Sequence, residues 1–167
     1  MKCPANTLVK LREDISFKSG AAISCGTGTA WGAIDRLCLR SHETLAVFGL
    51  GPVGLSAVMI ASSMGVNVIA LDTNQKRLNR AKSFGAGNIL NPLKSDNLVD
   101  AIKDLTKGLG AHASIDASSS PEARSHSIKC LRTWGKACFV GEGGDVNIDV
   151  SNDPVSYTHL TLPTRLM

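Results

Sequence analysis

No two of the five cysteines form a C-x-x-C pair: Cys3, Cys25, Cys38, Cys130 and Cys138 are odd in number and widely spaced. Neither a disulfide framework nor a self-contained zinc module is legible in them, and a reducing cytoplasm is the expected compartment. Long apolar runs are missing too, none approaching the ~20 residues of a membrane span. The first residues intersperse Lys10, Arg12, Glu13 and Asp14 and lack the apolar heart of a signal peptide, so no secretion and no membrane partner are expected. Aromatic residues are few: 4 Phe, 2 Trp and 1 Tyr stand against 16 Gly, a balance suited to many tight strand-to-helix turns. Clusters of one charge are also lacking. The 18 Lys and Arg against 14 Asp and Glu give a net charge of +4 spread along the chain, which serves solubility and not a nucleic-acid partner. What remains is an ordinary globular composition, 43% hydrophobic and 19% charged over 167 residues. A chain of that length buries roughly two-thirds of its unfolded surface without disulfide staples.

One cadence repeats between Leu45 and Gly141: a short β-branched apolar run, a helical stretch, then glycine or proline. The strand candidates are Leu45 to Gly49, Val66 to Leu71, Asn88 to Leu90, Ala113 to Ala117 and Lys136 to Gly141, each apolar on both faces. Helices are predicted between them. Pro52 to Met64 starts with a first-turn proline and carries Leu55, Val58, Met59 and Ser62 inward. Asn74 to Phe84 turns Leu78 and Ala81 inward and stops at Gly85, and Asp96 to Lys107 has Leu98, Ile102 and Leu105 at helical spacing. Ser120 caps a helix presenting Ala123, Ser127, Ile128 and Leu131. The alternation predicts an α/β domain, a doubly wound parallel (Rossmann) sheet with five recognisable strands. Upstream, Met1 to Ile23 reads as loop and edge material and Thr29 to Leu37 as a helix. Downstream of Asp153 the cadence breaks: Val155 to Met167 holds three threonines, Pro163 and no glycine. No further strand is legible there, which would leave Ala137 to Val140 as a bare apolar edge.

The first strand candidate runs straight into Gly49-Leu50-Gly51-Pro52-Val53-Gly54, a G-x-G-x-x-G followed by a helix. Gly49 permits a tight turn, Gly51 lets backbone approach a pyrophosphate with no Cβ in the way, and Gly54 lets the helix pack near the strand. The helix N-terminus adds unpaired N–H groups and partial positive charge. Asp72 ends the second strand close to the ~20-residue offset of a ribose-binding carboxylate, which accepts from ribose hydroxyls and repels a 2′-phosphate. That favours NAD over NADP. The alternative is a glycine-rich turn with an exposed aspartate capping the next helix. Arg77 could reach the ribose edge or a 2′-phosphate, or be a solvated charge beside Lys76. Cys25, in Ser24-Cys25-Gly26-Thr27-Gly28-Thr29-Ala30, is either a thiolate metal ligand or a buried small hydrophobe. His42, His112 and His126 read as surface or loop residues.

With these residues laid out, the chain resembles the zinc-dependent alcohol dehydrogenases of the medium-chain dehydrogenase/reductase superfamily over about Val9 to Asp153. The resemblance rests on ISCGTGTAWGA, AVFGLGPVGLS, ALDTNQKRL, AKSFGAGNILNP and FVG, in that order. It implies that Gly49 to Gly54 hold the NAD pyrophosphate, Asp72 and Arg77 the adenosine ribose, and Thr29, Val140 and Gly141 the nicotinamide end. Cys25 falls where the family places the last of its catalytic zinc ligands. The implied activity is hydride transfer between an alcohol or polyol carbon, or its carbonyl product, and the nicotinamide, with zinc polarising the substrate oxygen. The implied partners are a small-molecule alcohol or carbonyl substrate and, for the full-length protein, further copies of itself. The other zinc ligands of the family have no counterpart in this sequence, so no catalytic set is complete in it. Residues 1–28 then read as a remnant of a catalytic domain, 29–154 as a truncated NAD(P)-binding domain, and 155–167 as a non-native tail that resembles translated sequencing adapter. Two alternatives stay open: a non-catalytic dinucleotide-binding module, and a zinc-free NADP-dependent enzyme of the quinone-reductase type.

Overall fold

The five apolar runs become five parallel strands in the computed structural model, which describes residues 2–149 and 159–161. They are β1 (Thr44–Phe48), β2 (Asn67–Leu71), β3 (Asn88–Leu90), β4 (Ala111–Asp116) and β5 (Leu131–Phe139). Alternation along each strand feeds two cores, one per sheet face. Leu45 and Val47 of β1 point into one, with Val68, Ala70 and Ile115, while Ala46 and Phe48 point into the other, with Ile69, Leu71 and Phe139. Helices α1 (Phe17–Ala22), α2 (Gly28–Leu37), α3 (Pro52–Ser63), α4 (Gln75–Ser83), α5 (Leu98–Leu105) and α6 (Pro121–Lys129) complete the alternation. Side-chain caps start three of the crossover helices: Asn74 accepts from Lys76 and Arg77 N–H, Asn97 from Asp100, and Ser120 from Ala123.

The sixth strand, expected to be missing, is present. A short β6 (His159–Thr161) runs parallel to β5, opposite Lys136 to Cys138, and the strand order is 3-2-1-4-5-6. It escaped the periodicity because three residues are too few to show one. Of the exposed edge foreseen at β5, Ala137 and Cys138 are thereby paired. The rest of the segment read as a non-native tail, 155–158 and 162–167, lies outside the described residues.

Several boundaries and faces differ from the sequence reading. The stretch taken as loop up to Ile23 contains α1, started by the Ser16 side chain accepting from Ser19 N–H, and a π-helical turn (Ile23–Thr27) joins it to α2. Gly20, Gly26 and Gly28 are poor helix formers, so no apolar period announces this stretch. On α3 the buried residues are Gly54, Ala57, Val58 and Ala61, while Met59 is 45% exposed. The helix turns its small side chains to the sheet because they permit the closest approach. Leu105 is 43% exposed in the same way, at the end of α5. Helix α6 stops at Lys129, and Leu131 opens β5 instead of closing the helix; Trp134, at φ 65°, and a register shift between Ala111 and Ala113 mark the irregular start of that strand. No helix among the described residues is long and apolar enough to cross a membrane.

Two of the three histidines are not loop residues: His112 is on β4 and His126 on α6. The half-buried His112 accepts a 3.1 Å hydrogen bond at Nδ1 from Thr44 N–H, tying β4 to the first residue of β1. Burial, then the charge of Arg132, hold its pKa below the ordinary 6.5, against the pull of Glu43. An imidazole protonated at Nδ1 cannot accept that bond. The folded form binds a proton less readily than the unfolded chain, so the stability contributed by neutral His112 is present above about pH 6.5 and is lost as pH falls toward the lower folded-state value. We expect the melting temperature to drop between about pH 7.5 and about pH 5.5, and His112→Asn, which keeps an acceptor but does not titrate, to drop less over that range; equal slopes would refute this. The cysteines divide as well. Cys130 and Cys138 are buried, burial pushing the Cys130 thiol up to about 12 and raising that of Cys138, whereas Cys3, Cys25 and Cys38 are exposed. Alkylation of the native chain, followed by mass spectrometry, should label those three rapidly and the other two only on unfolding.

Candidate functional site

In this strand order the chain winds outward from β1 to β3, returns, and winds the other way from β4 to β6, so the C-terminal ends of β1 and β4 border a crevice. The turn after β1 is shaped by its glycines. Gly49 sits at φ +85°, and a Cβ on it would lie 2.7 Å from Ser118 N in the turn after β4. A Cβ on Gly54 would run into the Gly49 carbonyl oxygen. Both positions are required by the protein's own packing.

Gly51 is different. Its backbone is extended, at φ −71° and ψ −169°, which any residue adopts, and a Cβ there would meet nothing within 4 Å. Gly51 caps α3, with Pro52 at the first helical position, so the first-turn N–H groups face outward without intrahelical partners. The bare position therefore opens onto a cleft of about 410 Å3 lined by Gly49, Gly51, Asp72 and Arg77. Across from them stand residues that the motif did not single out: Ser118, Glu122 and His126.

Asp72 is 8% exposed, and its carboxylate organises the turn: Oδ2 accepts from Leu50 N–H at 2.8 Å and Oδ1 from Asn74 N–H at 2.8 Å. The reading of an exposed aspartate is thus corrected, although Asp72 does bond the residue that caps α4. Arg77 is neither free nor locked, its Nη1 lying 3.6 Å from Asp72 Oδ2 with the side chain 55% exposed. Of the remaining glycine-turn residues, Leu50 is fully buried beneath the turn, while Pro52 and Val53 form the first turn of α3.

The other expected site residues do not line this cleft. Thr29 is exposed on α2. Val140 and Gly141 follow β5 and both donate backbone N–H to the Asp116 carbonyl, at 2.8 and 3.0 Å. Cys25 is exposed in the π-helical turn, which removes the buried-hydrophobe alternative. Its neighbour Gly26 packs on Pro52, a Cβ there lying 3.6 Å from the proline Cβ, and Thr27 Oγ1 is 3.2 Å from Ser56 Oγ, so the cysteine turn abuts the start of α3. Among the described residues no three His, Cys, Asp or Glu side chains are grouped to hold a metal ion. Cys25 alone does not fit a zinc site, which needs three protein ligands with an open position or four without one.

Sequence reasoning missed one pair outright. Asp116, fully buried at the end of β4, accepts from Ser118 N–H and Oγ and from Arg124 Nε at 3.2 Å, and Arg124 is 6% exposed on α6. The signal was present as an arginine on the apolar face of a helix, next to Ala123 and one turn before Ile128.

Residues 52–165 match the family model described as zinc-binding dehydrogenase. The zinc-type alcohol dehydrogenase-like protein YphC of Escherichia coli is 35% identical over 87% of the chain, and alcohol dehydrogenase class-2 isozyme 2 of Oryctolagus cuniculus is 35% identical over 95% of it. The chain spans 41% and 42% of the length of these two relatives. Among solved structures, benzyl alcohol dehydrogenase from Acinetobacter calcoaceticus superposes with a TM-score of 0.84 at 30% identity, covering 93% of this chain and 44% of that one.

The glycines yield a test that separates packing from ligand space. Gly51→Val should leave the melting temperature nearly unchanged, within about 0.5 kcal/mol of stability, because nothing occupies its Cβ position. Gly54→Ala and Gly49→Ala should each destabilise by roughly 1–3 kcal/mol through overpacking, with a left-handed backbone penalty added at Gly49. Thermal melts of the three variants check the contrast.

Proposed function

The chain belongs to the zinc-binding dehydrogenase family, and from that premise we propose that it supplies the dinucleotide-holding part of an oxidoreductase. The reaction is hydride transfer between an alcohol or polyol carbon, or its carbonyl product, and NAD. The observation that carries this reading is the empty space over Gly51, opening onto the same cleft as a buried carboxylate. Packing does not demand a glycine there; a phosphate brought against backbone does. The same reading assigns residues 29–154 to the cofactor-binding unit and residues 1–28 to its connection with a catalytic region.

Each residue then has a task. The N–H groups of the Gly51 to Gly54 turn and the positive end of α3 bind the pyrophosphate. Asp72 accepts from the adenosine ribose hydroxyls with the lone pairs that Leu50 and Asn74 leave over, and Arg77 offsets part of its charge. Ser118, Glu122 and His126 close the far wall of the cleft. Thr29, Val140 and Gly141 face the other mononucleotide. When bound, the nicotinamide supplies the hydride acceptor or donor, and the protein's part is to hold it in register with the substrate. The donors among the described residues do not form a zinc site.

Buried Asp72 favours NAD, because a 2′-phosphate would bring a second anion against it. Titrating the chain with NADH and NADPH, followed by nicotinamide fluorescence, should show NADH binding the more tightly. Asp72→Ala should weaken NADH by roughly ten- to a hundredfold, as expected for hydrogen bonds to a charged group, and should narrow its advantage over NADPH. Absence of NADH binding even at millimolar concentration would remove the assignment.

A further inference from the structure

The loop that follows β5 reads Gly141-Glu142-Gly143-Gly144, and Gly143 and Gly144 hold φ of +71° and +75°. Three glycines in four residues give such a loop many accessible conformations, so a single one needs anchoring from outside. Arg124 is that anchor. Its Nη2 donates to the Gly141 carbonyl at 2.9 Å and its Nη1 to the Gly144 carbonyl at 2.8 Å, while Nε holds Asp116 Oδ2 at 3.2 Å. The guanidinium also lies 5.3 Å from the Phe139 ring centre. At the next position on α6, Ser125 Oγ donates to the Asn147 carbonyl at 2.9 Å, so two consecutive residues of the helix grip the loop. Gly141 and Gly144 come close enough to Ser119 that a Cβ on either would lie 2.6 Å from its nitrogen or 2.9 Å from its carbonyl oxygen.

None of these contacts reaches Gly51 or Asp72. A doubly wound sheet of this order binds the two mononucleotides of a dinucleotide on its two halves, one over β1 to β3 and one over β4 to β6. Asp72 and Gly51 belong to the first half and the loop after β5 to the second. We propose that Arg124 is a positioning residue for the second, nicotinamide-bearing half of the cofactor site, an inference that rests on the cofactor reading above. It fixes the glycine-rich loop at the C-terminal edge of the sheet. All three of its nitrogens are spent on Asp116 and the loop, so it acts through the loop and does not bind the cofactor itself.

The test compares ligands that differ by one half. NADH and AMP are titrated calorimetrically into the full 167-residue chain, into Arg124→Met, and into the double variant Asp116→Asn/Arg124→Met. The double variant removes both charges, so no bare carboxylate stays buried, and the amide oxygen introduced by Asp116→Asn can still accept from Ser118. A further single variant, Arg124→Lys, retains the charge but cannot fork to two carbonyls. In the double variant we expect NADH affinity to fall by about tenfold or more while AMP affinity stays within about twofold, with Arg124→Lys intermediate. Equal losses for NADH and AMP would mean a merely structural role and overturn the proposal, as would unchanged NADH affinity or a parent chain that binds NADH no better than AMP. A parent chain that binds neither ligand overturns the cofactor reading itself, and this proposal with it.

Discussion

Gly49 and Ser118 meet where no side chain fits between them, and the rest of the site is arranged around that contact. The turn after β1 presses on the turn after β4, a Cβ on Gly49 being 2.7 Å from Ser118 N. Each turn is then held from behind by a carboxylate at the end of a strand. Asp72 secures the first through Leu50 N–H, and Asp116 secures the second through Ser118 N–H and Oγ. Gly54 lets α3 come down onto the first turn, and Arg124 ties Asp116 to the loop after β5. Loosening the Gly49 contact would separate the two halves of the sheet at their C-terminal ends, where the cleft lies.

Much of this could be read from residues alone, for a physical reason. Strands covered on both faces must be apolar throughout, and crossover helices must end in glycine or a cap, so the cadence from Leu45 to Gly141 announced the parallel sheet. The glycine turn and Asp72 were legible because their spacing follows from backbone geometry. The misses have causes of the opposite kind. Helix α1 is rich in small residues and buries none of its own, so it has no period to detect. The buried face of α3 is set by alanines and a glycine, which a reading weighted towards large apolar side chains passes over in favour of Leu55 and Met59. The β6 strand needs β5 beside it to form. Arg124 has a role only through Asp116, Gly141 and Gly144, positions 8 to 20 residues away in sequence, and no local rule joins them.

The two strand-end carboxylates show why the proposed ligand-binding role falls to one and not the other. An ionised carboxylate offers about four lone-pair sites. Asp116 is 0% exposed, with both serine donors on Oδ1 and the guanidinium on Oδ2, and it lies away from the cleft. Its charge is neutralised by a buried cation, and removing either partner would strand the other. Asp72 gives one oxygen to each of two backbone N–H groups, and its ion-pair partner Arg77, 3.6 Å away, is 55% exposed. Backbone amides satisfy it without cancelling its charge, so it keeps both an acceptor surface and a negative potential at the cleft wall. A hydroxyl pair arriving there finds acceptors already fixed in place, whereas a second anion finds a charge that Arg77 offsets only in part. The same side-chain type thus fastens the fold at β4 and, in the proposed function, receives a ligand at β2, and the difference lies in whether its counter-charge is buried beside it.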